Sequence, residues 1–125
     1  MRDKLQRAVI AMAQPAAIQL SLFPDFVCKA NELALDFEEG LYEMVGHEAE
    51  FSDHQRATID TLDKLLSSMG GEHHASFWTE AALHEHPIWD AIRDAAKAVA
   101  GTFGWNLQSV PQSNAIYVAA KSNGS

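Results

Sequence analysis

The chain has 125 residues, 47% of them hydrophobic and 21% charged, which suits one folded domain and excludes both a disordered acidic tail and a second domain with a core of its own. Its formal net charge of -8 excludes non-specific nucleic-acid binding, which rests on lysine and arginine neutralising phosphates. A single cysteine, Cys28, excludes an internal disulfide framework and a multi-cysteine zinc site.

Residues 2–14 space Leu5, Val9, Met12 and Ala13 at helical intervals and stop before Pro15, so an amphipathic helix is predicted there. The apolar run at 8–13 falls short of a signal-peptide core and of a membrane span of about 20 residues, and a cytoplasmic location without membrane attachment is expected. Between Pro15 and Pro24, Ile18, Leu20 and Leu22 alternate with Gln19 and Ser21. That is a strand period, although Ile18 and Leu22 alone also suit one helical turn; the strand is preferred.

A second helix is expected to start at Asp25 or Asn31, either of which can cap it, and to run to Val45 before Gly46. Phe26, Ala30, Leu33, Phe37, Leu41 and Met44 step along one stripe of it. Ser52 with Gln55 has the form of a capping box, opening a helix whose Ile59, Leu62, Leu66 and Met69 face inward until Gly70 and Gly71. Residues 72–76 are read as a loop and Thr79 as the cap of a short helix, which Pro87 interrupts by holding His86 out of helical angles. Pro87 then opens a last helix carrying Ile88, Ile92, Ala95 and Val99 to the core and closing at Gly101 or Gly104. Trp105 and Leu107, and after 111–114 Ile116 and Val118, alternate with polar or small residues, which reads as a hairpin.

The predicted fold is therefore mainly α within an α+β class: a single domain over 1–121 of four or five helices with a short C-terminal β-hairpin, and a frayed tail at 122–125.

Charge is unevenly distributed. Residues 25–63 hold eleven acidic side chains against two basic ones, Lys29 and Arg56, a skew that points to a basic protein partner. Within it, Glu32, Asp36, Glu39 and Glu43 are four, three and four apart, so they share one helix face with no basic residue interleaved, and each like-charge pair costs roughly 0.2 to 0.5 kcal/mol. These four, with Tyr42 or Leu41 beside them as an apolar anchor, are the candidate partner-binding residues. The same stripe also suits a solvated face or one paired in the fold with a distant lysine or arginine. By contrast Arg56, Asp60 and Lys64, and Asp90, Arg93, Asp94 and Lys97, interleave opposite charges as an ordinary solvated surface does.

Other chemistries find less support. His47, His54, His73, His74, His84 and His86 flank two connections near several carboxylates, but neither His47-Glu48 nor His84-Glu85 continues as His-Glu-x-x-His, so no metal site is assigned. Cys28, between Val27 and Lys29, reads as a small buried residue, and no serine lies in a Gly-x-Ser-x-Gly elbow. Gly70 and Gly71 precede Glu72, which repels phosphate. The aromatics Phe77, Trp78, Trp89, Phe103 and Trp105 read as core. No catalytic residue or cofactor follows from the sequence. It leads to a small acidic protein-binding module, in its most concrete form an inhibitor or immunity protein for a basic toxin such as a nuclease. The rivals are a metal-dependent enzyme using the histidine-rich loops and a structural homo-oligomer.

Overall fold

A computed structural model describes residues 2–70 and 72–107, with 2, 3 and 72–74 described by their backbone alone. Among the described residues six α-helices follow one another: α1 Arg2–Met12, α2 Ala16–Ser21, α3 Lys29–Glu43, α4 Asp53–Ser67, α5 Glu80–Glu85 and α6 Pro87–Phe103. Short 3-10 turns at Glu48–Glu50 and Glu72–Trp78 join α3 to α4 and α4 to α5. Among the described residues there is no strand, and the expectation of an α+β fold with four or five helices and a hairpin is corrected to an all-helical one. Trp105 and Leu107, the expected first arm of the hairpin, do not form a strand, and 108–121 and the tail 122–125 lie outside the described residues.

The four long helices form the body. α3 packs on α1, α1 on α6, and α6 on α4. Leu5, Val9 and Met12 of α1, Leu33 and Phe37 of α3, Leu62 and Met69 in and after α4, and Trp89, Ile92 and Val99 of α6 are almost completely buried. The closest approach is between α1 and α3. A Cβ on Gly40 would stand 2.7 Å from Leu5 Cα and 2.9 Å from Leu5 N, so only glycine lets the start of α1 lie against the end of α3.

Local sequence signals explain most helix boundaries. Ser52 Oγ accepts from the Gln55 backbone and Gln55 Oε1 from the Ser52 backbone, so the capping box at the head of α4 is formed. Thr79 accepts from the Ala82 amide at the head of α5, and His86 lies at ψ 130 before Pro87, as a residue preceding proline must. Gly104 closes α6 in the left-handed region at φ 71.

Three local readings are revised. Residues 16–21 are helical, with Gln19 fully buried and Leu20 partly buried against the core. Gln19 Nε2 donates to the carbonyls of Ala11 at 3.3 Å and Met12 at 2.9 Å at the end of α1, where the Ala11 carbonyl also accepts from the Gln14 amide at 3.3 Å. A strand would have turned Gln19 away from the apolar side. Second, α3 starts at Lys29 with Cys28 in the cap position, and neither Asp25 nor Asn31 caps it. Asp25 instead accepts from Lys29 Nζ at 3.1 Å, and Phe26, ahead of the helix, is 61% exposed. Third, 72–76 form part of a 3-10 turn, held by the indoles of Trp78, which donates to Met69 O at 2.9 Å, and Trp89, which donates to Phe77 O at 2.7 Å.

Arg93 departs furthest from its expected place. It is buried rather than on a solvated face. Its Nε and Nη2 donate to Gln19 Oε1 at 3.2 and 2.9 Å, Nη2 also donates to Leu83 O, and Nη1 pairs with Asp90 at 3.2 Å. One guanidinium thereby ties α2 and α5 to α6, with burial pulling its pKa down.

Candidate functional site

The acidic helix presents three faces. Ala30, Leu33, Ala34, Phe37 and Met44 form its buried side. On the flank facing α1 stand Glu32, Asp36, Glu39 and Glu43, brought together as the spacing requires. Lys4, from α1, reaches this flank and places Nζ 3.2 Å from Glu43 and 3.5 Å from Glu39. The Glu43 carboxylate, ahead of Glu39, raises the Lys4 pKa. Lys4 thus pairs with two of the four carboxylates of this flank. Asp36 is half-buried among them, and burial, then the charges of Glu32 and Glu39, push its carboxyl up to about 6 against the opposing pull of Lys4.

The outward face of α3 is unusual in another way. Among the described residues the exposed large hydrophobic side chains are Phe26, Leu35, Tyr42 and Val45, at 61, 41, 79 and 65%. Three of them belong to α3 or its immediate end. Leu35 and Tyr42 are seven apart and Tyr42 and Val45 three apart, so they follow one another along the same outer line. Exposed Glu38 and Glu39 stand between them in sequence. Of the two anchors suggested by the sequence, Tyr42 is fully presented, whereas Leu41 is partly buried and turned toward α4. Leu35 and Val45 were missed by the sequence reading; their signal is apolar residues that fall off the Leu33, Phe37, Met44 stripe.

On the flank opposite the stripe, α3 and α4 hardly approach each other, and the ring of four long helices stays open along this seam. A cleft of about 360 Å³ occupies it, floored by Leu41, Met44, Phe51 and Ile59 and rimmed by Glu48, Arg56, Asp60 and Asp63. Arg56 is held by Asp53 at 2.6 Å and donates to Glu48 O at 3.2 Å, and Asp60 pairs with Lys64 at 2.9 Å. Asp63, partly buried, forms no ion pair among the described residues. No feature of the sequence marks this cleft, because it arises from two helices that do not close on each other.

The histidines are dispersed. His47 Nδ1 lies 2.9 Å from Glu50, and His86 Nδ1 accepts from the Ile88 amide at the head of α6 while its ring packs 4.4 Å from Phe77. His54 and His84 are exposed, and the side chains of His73 and His74 lie outside the described residues. Among the described residues no three His, Cys, Asp or Glu side chains come together as a metal-binding group. Cys28 is exposed rather than buried, with Sγ 3.3 Å from Trp78 O, because it precedes α3 and escapes its apolar stripe. Trp89 is wholly buried, and Phe103 stacks on Trp105 with centroids 4.3 Å apart, so the aromatic half of the chain is largely occupied with its own packing. Among the described residues no helix is long and apolar enough to cross a membrane.

Comparison of the chain with protein-family models, with curated proteins and with solved structures returns no match, and the functional reading rests on the geometry of α3 and its surroundings.

Proposed function

We propose that the protein is a small cytoplasmic binding module that presents α3 to a basic surface on another protein. Glu32, Asp36, Glu39 and Glu43 supply the attracting field, and Tyr42, with Leu35 and Val45, supplies apolar contact. The observation that supports this reading is the coincidence on one helix of a row of carboxylates, Glu39 and Glu43 among them substantially exposed, with three of the four large exposed hydrophobic side chains among the described residues. An acidic rim around an exposed aromatic is the composition of a docking patch, in which charge steers the encounter and the aromatic holds it. Self-association through this face is disfavoured, since it would bring carboxylates against carboxylates. In its most concrete form the partner is a basic toxin such as a nuclease and the module its inhibitor or immunity protein, a form supported by size and acidity.

The test is affinity capture from native cell extract, with the full chain as bait, as wild type and as Glu39→Lys with Tyr42→Ala, at low and at high salt. One basic protein held stoichiometrically by the wild type at low salt, weakened at high salt and absent from the variant supports the reading. Equal retention by both baits, or retention of nothing, overturns it.

A further inference from the structure

We infer that the α3–α4 cleft is an anchor pocket for an arginine side chain projected by the basic partner. This rests on the proposed docking role of α3 and adds a specific occupant beside it. Leu41 of the cleft floor is three residues from exposed Glu38 and four from exposed Val45, helical neighbours that join the cleft to the outward face. Its volume of about 360 Å³ lies at the small end of ligand pockets, which run from about 300 to 1,000 Å³.

The lining specifies the chemistry. Leu41, Met44, Phe51 and Ile59 make an apolar floor, against which a chain of methylenes loses water favourably. The rim carries Glu48, Asp60 and Asp63, with Arg56 turned to its own partners Asp53 and the Glu48 carbonyl. Among the described residues Asp63 forms no ion pair, and Glu48 accepts at Oε1 from the Gly46 amide at 3.0 Å, which holds it in place. A side chain with an apolar stem and a planar cationic head satisfies both floor and rim. Arginine fits better than lysine because its guanidinium is more weakly hydrated and engages carboxylates through a fixed fork of donors. An uncharged apolar occupant would leave Asp63 desolvated and unpaired.

The test uses the full chain with labelled methyl groups and the peptide acetyl-Leu-Arg-Leu-Arg-amide, against the same peptide with both arginines replaced by citrulline. Saturable shifts of the Met44 and Ile59 methyl resonances with the arginine peptide, absent with citrulline and weakened about five-fold by Asp63→Asn, are expected. Should that variant lose its fold, Glu48→Gln, which keeps the acceptor for Gly46, serves in its place and weakens binding in the same direction. Unmoved cleft methyls, or equal binding of the citrulline peptide, overturn the inference. A captured partner whose affinity depends on Glu39 and Tyr42 but not on Asp63 overturns the cleft alone and leaves the docking role of α3 standing.

Discussion

Arg93 and Gln19, seventy-four residues apart in sequence, meet through two hydrogen bonds of 3.2 and 2.9 Å in the interior. The pair satisfies the end of α1, positions α2 and holds the Leu83 carbonyl. Gln19→Leu leaves a buried guanidinium short of an acceptor and the Met12 carbonyl short of the Gln19 donor, and is expected to cost about 2 to 4 kcal/mol in urea unfolding. Adding Arg93→Met should recover a large part of that loss, since an apolar pair of similar size removes the unpaired charge. Additive losses in the double variant would show that the two residues act independently.

Gly40 and Gly101 should respond to alanine in opposite directions. At Gly40 the new Cβ meets the Leu5 backbone at 2.7 Å, which cannot move aside as a side-chain tip does, and α1 must separate from α3. A loss of about 1 to 3 kcal/mol is expected. At Gly101, exposed in α6 with nothing within 4 Å, alanine should stabilise by about 0.5 to 1 kcal/mol. Thermal midpoints of the two variants check both signs, and equal shifts would contradict the close packing of α1 on α3.

Asp36 links stability to pH. Its folded pKa of about 6 stands above the ordinary 3.8, so the folded state binds this proton more tightly than the unfolded chain does. Its favourable contribution is fully present below about 4 and is lost as pH rises through 6. Asp36→Asn should raise the thermal midpoint at pH 7.5 and give no advantage near pH 4, the difference closing between those limits. Lys4 from α1 and Glu32 and Glu39 from α3 set the environment, so an equal gain at both pH values would place its origin elsewhere than in this carboxyl.

Lys4 tempers the charge of the proposed docking face. Lys4→Ala is expected to leave the thermal midpoint nearly unchanged, because both its carboxylate partners are substantially exposed, at 63% for Glu39 and 41% for Glu43. The same change should speed association with a basic partner at low salt, through the stronger negative field of Glu39 and Glu43. A slower association would mean that the Lys4 pairing organises the face rather than weakening it.

What the sequence made legible was local. The Ser52 and Gln55 box, the Thr79 cap, the Pro87 break and the glycine closing α6 each depend on neighbours within a few residues, and each forms as read. Interactions over long separations defeated it. Gln19 looked like the polar half of a strand alternation because its partner is seventy-four residues away, and Arg93 looked like a surface charge beside Asp90 and Asp94 for the same reason. The acidic face of α3 was visible as spacing, but Lys4, which meets it, comes from another helix. The cleft was invisible because periodicity says which side of a helix is apolar and not whether two such sides close on each other.

The central claim, that α3 docks a basic partner through its excess charge, is tested most directly by association kinetics of the captured partner with the wild type and with Asp36→Lys plus Glu39→Lys, across ionic strengths. The expected result is a wild-type on-rate that falls steeply with salt and a variant on-rate that is lower and nearly flat, with the fold intact by circular dichroism. On-rates that are the same for both proteins and insensitive to salt would contradict it.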